Sequence, residues 1–175
     1  DATGKIVGAG EVAYEVTRQV HMEDALRETK EYLDNLITYA NAPIIVWDPQ
    51  FRITLFNHAF EHLTGRKAKE VLGKQLDILL PEKYLSAAMD RIKKTMEGER
   101  WESVEIPILH KNGEIRTVLW NSASIVGADG KTIMSTIAQG QDITERKKIE
   151  SEHRQRALEF AEMNLNLEEE VRQRK

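Results

Sequence analysis

Two tight-turn signals in the second half of the chain restrict its fold more than any other feature. Asn112-Gly113 and Asp129-Gly130 each separate two apolar segments. Asn-Gly in particular tolerates the positive φ angles of a two-residue type I′ hairpin. Strands joined by such hairpins are antiparallel by necessity. The sequence therefore predicts three consecutive strands of one antiparallel sheet, at 104–108, 115–125 and 132–143.

Short strands and helices alternate in the segment before these turns. Apolar strands are predicted at 44–47 and 52–56, on either side of the turn signal Asp48-Pro49. Helices are predicted at 58–64, 67–72 and 82–97, with a compact apolar turn at 76–80. Together these elements predict an α+β fold, a five-stranded antiparallel sheet with helices on one face.

Segments rich in helix-forming residues flank the predicted core. In 18–40 and 145–175, apolar residues recur at alternating steps of three and four, the a/d pattern of a coiled coil. Single helices of this type are marginal in water. We therefore expect a homodimer in which each helix packs against its copy in a second chain, about a two-fold axis. The expected seam residues are Met22, Leu26, Leu33, Leu36, Ala157, Phe160, Asn164, Leu167 and Val171.

The junction between a strand and a charged helix occurs twice in the sequence. Glu15-Val16-Thr17 and Asp142-Ile143-Thr144 lie 127 positions apart, each after a Gly-Lys pair and before a helical segment. Self-similarity at a fixed period is typical of an array of modules. We predict that the chain is a piece of such an array. Its expected parts are the C-terminal strand of a preceding module (1–17), a linker helix (18–40), a complete domain (41–144) and a C-terminal signalling helix (145–175).

The composition argues against several classes of function. A net charge of −4 and a pI of about 5.8 argue against nonspecific nucleic-acid binding, which normally needs a basic face. These 175 residues contain no cysteine, which excludes disulfide and thiolate chemistry and fits a cytoplasmic setting. The longest apolar run is far shorter than the ~20 residues that span a bilayer. We expect a cytoplasmic module without membrane insertion in this fragment.

Five motifs occur in a fixed order between residues 41 and 147. They are Pro43–Asp48, Asn57–Gly65, Val71–Lys74, Lys111–Glu114 and Asp142–Lys147. In this order they resemble the PAS domain, a sensory module with a C-terminal exit (PAC) motif. The resemblance implies a sensor in a multi-PAS signalling protein, such as a sensor histidine kinase, which binds a ligand or partner against its sheet.

The exit motif is the part of the resemblance that implies signal transmission. Asp142, Ile143 and Thr144 lie where the last strand passes into the C-terminal helix. A carboxylate and a hydroxyl at a helix start can accept hydrogen bonds from free amides and complement the helix dipole. We therefore expect this motif to tie the helix to the sheet and to relay a signal to adjacent PAS and output domains.

The resemblance also implies a ligand pocket on the inner face of the sheet. Alternation in 104–108 supports part of this assignment. Two inward indoles could stack on a flat small-molecule ligand, but aromatic residues at such positions more often fill a core. A ligand-free structural spacer is therefore the alternative function. The pocket candidates are Ile45, Trp47, Ile53, Leu55, Met89, Ile92, Ile106, Ile108, Val118, Trp120, Ser122 and Thr136.

The sequence favours no particular cofactor. Cysteinyl-flavin photosensors need a cysteine, which this chain lacks. Haem-binding PAS domains usually place a histidine on the long helix, and residues 82–97 contain none. A flavin held without a covalent adduct remains an alternative.

A third alternative is a zinc hydrolase. His58, Glu61 and His62 match the H-x-x-E-H pattern of one zinc protease class and share one face of a helix. The predicted helix ends at Thr64-Gly65, and the sequence offers no third ligand. Because short motifs match by chance, we expect a solvated helix face here, no metal site and no catalytic residue.

Overall fold

The computed structural model describes residues 2–173, without the side chains of 2–16 and 168–171. The chain divides into one unit at residues 1–40 and a second at residues 41–175. Within the described residues, no helix combines the length and the apolar character needed to cross a membrane.

The first unit is a single helix, α1 (Ala2–Thr38). The strand predicted within residues 1–17 is therefore wrong. A strand needs a neighbouring strand to satisfy its N–H and C=O groups, whereas a helix satisfies them within its own segment. All five strands of the described sheet come from residues 44–142, so none of them pairs with this segment. Its origin in a preceding module stays a prediction.

The second unit contains the predicted five-stranded antiparallel sheet, formed by β1 (Ile44–Trp47), β2 (Ile53–Phe56), β3 (Val104–Leu109), β4 (Ile115–Val126) and β5 (Ile133–Asp142). Their spatial order is β2-β1-β5-β4-β3. Both predicted turns join neighbouring strands, β3 to β4 and β4 to β5.

The turn between β3 and β4 differs from the predicted type I′ geometry. Gly113 has a φ of 89°, but the non-glycine residues with positive φ in the described chain are Phe51 and Ser103, so Asn112 is not among them. Asn112 instead accepts a hydrogen bond at Oδ1 from the Glu114 N–H at 2.9 Å. This side-chain bond stabilises the turn with only one left-handed residue.

Along the chain, the helical elements of the second unit either precede β3 or follow β5. Asn57 caps the helix that begins at His58, because its Oδ1 accepts a hydrogen bond from the Phe60 N–H at 3.0 Å. The predicted helix at 82–97 begins as a 3₁₀ turn and becomes α-helical at Leu85. The helices are α2 (His58–Thr64), α3 (Ala68–Val71), α4 (Leu85–Thr95) and α5 (Thr144–Gln173), with 3₁₀ turns at Leu76–Leu79 and Glu82–Tyr84.

The core lies between one face of the sheet and the elements α2 to α4. Buried residues alternate along β3 and β4, as expected for strands with one covered face. Helical segments add Phe60, Leu63, Leu79 and Ile92 to the same apolar cluster. This arrangement places the inner face of the sheet next to α4.

A β-bulge interrupts the pairing of β1 with β2. Val46 pairs with Leu55, but Trp47 pairs with Ile53, which leaves Thr54 as the extra residue. The alternation therefore shifts by one position: Phe56 is buried opposite Ile45, and Leu55 is only half-buried.

Candidate functional site

An apolar cavity of about 30 Å³ lies in the core of the second unit. Its walls come from the inner face of the sheet, from α2 and α4, and from the segments at 76–80 and 101. Half of the twelve predicted pocket residues contribute to the wall, namely Ile45, Trp47, Ile92, Ile106, Ile108 and Trp120.

The other six predicted pocket residues lie away from the cavity. Ile53, Val118, Ser122 and Thr136 are buried in other parts of the core. Leu55 and Met89 are half-buried. For Leu55 the bulge in β2 is the reason, because it breaks the simple alternation on which the prediction was based.

Six residues that the prediction omitted complete the wall. Three of them come from helical and 3₁₀ segments and a fourth, Leu80, directly follows a 3₁₀ turn, and a pattern based on strand alternation covers none of these four. Ala138 is small and lies two residues after Thr136 on the same buried face of β5. Trp101 stands in a loop beside charged residues, where no periodic signal exists. The six are Phe60, Leu76, Leu79, Leu80, Trp101 and Ala138.

The three tryptophans around the cavity differ in their hydrogen bonding. Trp120 Nε1 donates to the Ile106 carbonyl at 3.2 Å. Trp47 Nε1 and Trp101 Nε1 are buried and have no acceptor among the described residues. The rings of Trp47 and Trp101 are neighbours, with centroids 6.1 Å apart.

Hydrogen bonds to its backbone, and none to its ring nitrogen among the described residues, hold Trp101 in place. Its N–H donates to Ser122 Oγ at 3.0 Å, and its carbonyl accepts from the Ser122 N–H at 3.1 Å. Ser122, a predicted pocket residue, therefore shapes the cavity indirectly. It holds the loop that places Trp101 in the wall.

The predicted exit motif joins β5, β4 and α5 through side-chain hydrogen bonds. Asp142 Oδ1 accepts from the Thr144 N–H at 2.9 Å and from the Thr144 hydroxyl at 2.6 Å. Thr144 Oγ1 accepts from the Thr117 N–H of β4 at 2.9 Å. The Ile143 N–H donates to the Thr117 carbonyl at 2.9 Å, and the Ile143 side chain is buried. The Asp142 carboxylate thus accepts hydrogen bonds from the first residue of α5, and the Thr144 hydroxyl accepts one from the sheet.

An ion pair gives α5 a second attachment to the sheet. Lys147 Nζ lies 2.9 Å from Glu105 Oε1 on β3. The hydrogen bond and charge of Glu105 raise the pKa of Lys147 above its ordinary value. Both partners are partly exposed, so the pair positions the first turn of α5 more than it stabilises the fold.

The three residues of the H-x-x-E-H pattern do lie together on α2. The Nε2 atoms of His58 and His62 are 3.2 Å apart, and His58 Nδ1 lies 3.2 Å from Glu61 Oε2. Glu61, however, accepts hydrogen bonds from Lys67 Nζ at 2.9 Å and from the Ala68 N–H at 2.8 Å. Its carboxylate therefore anchors the start of α3. The described residues contain no group of three or more ligands that could hold a metal ion.

Comparison with known families agrees with this geometry. The sequence profile of the family described as "PAS fold" matches residues 38–148. The chain belongs to the PAS family. As a PAS domain, the second unit is a sensory module and not itself a catalytic one.

Two curated relatives of this PAS domain are signalling proteins. A protein of Rhizobium johnstonii named blue-light-activated histidine kinase is 36% identical over 132 residues, which cover 72% of this chain and 35% of the relative. The oxygen sensor protein DosP of Escherichia coli is 29% identical over 156 residues, which cover 85% of this chain and 19% of the relative. The chain thus spans about a third and a fifth of these proteins.

A solved structure confirms the fold. The PAS domain of a protein from Colwellia psychrerythraea superimposes with a TM-score of 0.60 at 22% identity. The match covers 67% of this chain and 98% of that one.

The seam residues predicted on the helices that precede and follow the PAS core are exposed in the single chain. Leu26 and Phe160 expose 70% and 66% of their surface. Met22, Leu33, Leu36, Ala157, Asn164 and Leu167 are also exposed. The side chain of Val171 lies outside the described residues. A dimer through these residues stays a prediction.

Proposed function

We propose that this chain is a cytoplasmic PAS sensory and dimerisation module. A change in its core would alter the packing of its flanking helices. These helices would pass the signal to an output domain, which we propose is a histidine kinase. Couplings of this type typically amount to ~1–3 kcal/mol. The named histidine kinase relative supports the choice of output.

One observation carries this proposal: β3 and β4 each contribute a residue to the cavity wall and another residue that contacts the start of α5. On β3, Ile106 lines the cavity while the adjacent Glu105 pairs with Lys147. On β4, Trp120 lines the cavity while Thr117 bonds the exit motif three residues earlier. A shift of either strand would therefore reach both the cavity and the first turn of α5.

Hydrogen exchange at the start of α5 tests this coupling. The Lys147 N–H donates to the Ile143 carbonyl at 2.9 Å and reports on the first turn. Ile106→Val alters the cavity wall, and Ile53→Val makes the same change at a buried residue of β2 outside the wall. We expect Ile106→Val to speed exchange at Lys147 several-fold more than Ile53→Val. Equal effects, after correction for global stability, would contradict the proposal.

Light scattering on the full chain tests dimerisation. Leu167→Glu places a charge in the predicted seam, whereas Leu165→Glu makes the same change at an exposed leucine outside it. We expect the wild type and Leu165→Glu to be dimers at micromolar concentration and Leu167→Glu to dissociate more readily. A wild type that is monomeric throughout would refute the dimerisation part.

A structural spacer is the second candidate, and the size of the cavity favours it. At about 30 Å³ the cavity is well below the roughly 150 Å³ that holds benzene in an engineered protein. A spacer would bind no small molecule and would show no thermal shift with a metabolite panel. Mass spectrometry of purified protein for a co-purifying ligand distinguishes the two functions.

The stimulus named in the Rhizobium relative is not part of the proposal. Blue-light sensing through a cysteinyl-flavin adduct requires a cysteine, and these 175 residues contain none. We propose instead that any signal enters as a small molecule or as a partner of the sheet.

A further inference from the structure

Two exposed histidines face each other on α2. His58 and His62 are four residues apart, so their side chains lie one above the other on the same face of the helix. Their Nε2 atoms are 3.2 Å apart, and the two rings meet edge to face with their centroids at 4.6 Å. Two nitrogens that bind one tetrahedral zinc ion at about 2.0–2.1 Å lie roughly 3.3 Å from each other. The imidazole pair therefore already has the spacing that a shared metal ion requires.

Glu61 fixes the tautomer of His58. Glu61 Oε2 lies 3.2 Å from His58 Nδ1, and an ionised carboxylate only accepts hydrogen bonds, so in the neutral ring Nδ1 carries the proton. The Nε2 atom of His58 is then left with a lone pair for a metal. Lys67 Nζ and the Ala68 N–H hold the same carboxylate at 2.9 and 2.8 Å. A histidine that binds a metal usually donates its other ring N–H to such a carboxylate, and this partner is already in place.

We propose that His58 and His62 bind one divalent transition-metal ion, Zn²⁺ above all, through their Nε2 atoms. Imidazole nitrogen suits zinc, copper and nickel, whereas magnesium and calcium prefer oxygen ligands. The part of the chain that the structure describes has no cluster of three or more possible ligands, so water would complete the coordination. Because catalytic zinc sites normally have three protein ligands, we assign binding and no hydrolysis to this pair. The site does not depend on the proposed sensory function.

A bound ion would stabilise α2 by bridging one of its turns. The helix has only seven residues, and helices of this length are marginal by themselves. Its buried side carries Phe60 and Leu63, so α2 is also part of the core. A ligand that binds the folded chain better than the unfolded one raises stability by mass action. The unfolded chain does not hold the two rings at this spacing, so zinc should raise the midpoint of thermal unfolding.

Calorimetric titration of the full chain, without a histidine tag, with zinc chloride at neutral pH tests the site. His58→Gln and His62→Gln each remove one ligand, whereas His21→Gln and His153→Gln remove single exposed histidines from α1 and α5. We expect one zinc ion per chain. The affinity should fall at least about tenfold in the two α2 variants, since even the loss of an outer partner costs that much. Equal affinities in the wild type and all variants would overturn the proposal and indicate adventitious zinc only.

Thermal unfolding provides the second measurement. Saturating zinc should raise the midpoint of the wild type, His21→Gln and His153→Gln, and should leave His58→Gln and His62→Gln nearly unchanged. Magnesium at the same concentration should have no effect on any of them. An equal rise in all variants, or no rise in the wild type, would contradict a metal site on α2.

Imidazole ¹⁵N spectra of the wild type identify the binding atoms without any substitution, so this test stands even if a variant misfolds. Zinc should move the Nε2 signals of His58 and His62, while His58 Nδ1 keeps its proton. The signals of the other three histidines, His21, His110 and His153, should stay in place. A response from only one of the α2 histidines, or binding through Nδ1 of His58, would refute the shared site.

Discussion

Thr144 on the first turn of α5 accepts a hydrogen bond at Oγ1 from the backbone N–H of Thr117 on β4, at a distance of 2.9 Å. The same hydroxyl donates to Asp142 Oδ1 at 2.6 Å. One side chain thus links the last strand, its neighbour in the sheet and the exit helix. This link is the physical basis of the transmission that we propose.

Removal of the Thr144 hydroxyl should loosen the start of α5. Thr144→Val keeps the shape of the side chain but leaves the Thr117 N–H without its acceptor, which should cost about 1–2 kcal/mol. Thr144→Ser keeps the hydroxyl and should lie close to the wild type. Urea unfolding and hydrogen exchange at Lys147 measure the two effects, and similar values for both variants would contradict the role of the hydroxyl.

Substitution of each tryptophan by phenylalanine should give unequal losses of stability. All three changes remove similar volume from the core. Trp120→Phe also removes the bond to the Ile106 carbonyl, whereas Trp47→Phe and Trp101→Phe remove donors that have no acceptor in the described chain. We expect Trp120→Phe to be less stable than the other two by about 1 kcal/mol or more.

Denaturant midpoints of the three purified variants provide this comparison. A loss at Trp47 or Trp101 as large as that at Trp120 would contradict this difference in hydrogen bonding between the three indoles.

Even a methyl side chain at Gly140 on β5 should destabilise the fold, because two inner-face residues of β4 pack closely against its Cα. A methyl group there would lie 2.7 Å from Val118 Cγ1 and 2.9 Å from Trp120 Cζ3. Overpacking of a core usually costs about 1–3 kcal/mol. We expect Gly140→Ala to lower the free energy of unfolding by this amount.

Gly127→Ala is the matched control for this substitution. Its added methyl group would lie 3.4 Å from the flexible Met134 side chain, and the position does not require positive φ. Calorimetry should therefore find a small change for Gly127→Ala. If the two variants melted at the same temperature, the close packing at Gly140 would be refuted.

Local signals explain which parts of the fold the sequence predicts well. Strands β3, β4 and β5 follow from apolar alternation between two turns, since pairing across a hairpin requires only neighbouring residues. The bulge at Thr54 leaves no such signal, because one extra residue changes the alternation only after β1 and β2 pair. That single residue accounts for the misplacement of Leu55.

Two further differences depend on distant partners. Trp101 reaches the cavity because Ser122, 21 positions later, holds its main chain. The helical conformation of residues 2–17 reflects the absence of a partner strand for them in the described sheet. The residue pattern alone contains neither fact.

Glu61 should make stability depend on pH in the acidic range. The hydrogen bond from Lys67 and the bond from the Ala68 N–H lower its pKa from 4.5 to about 2. A carboxylate with a lowered pKa in the folded state stabilises the fold above its ordinary pKa, and this contribution disappears as pH falls through the folded value. The relevant window therefore runs from about pH 4.5 down to about pH 2.

Two variants compared with the wild type test this dependence. Glu61→Gln cannot ionise, so its deficit in urea midpoint should be largest above pH 5 and should shrink steadily towards pH 2. Lys67→Met removes the hydrogen bond that lowers the pKa of Glu61 most. The pKa of Glu61 in the folded state should then rise, so the pH range over which stability changes should lose its acidic part. A deficit of Glu61→Gln that stays constant from pH 6 to about pH 2 would show that the residue acts through shape or neutral hydrogen bonding, and not through the charge that anchors α3 to α2.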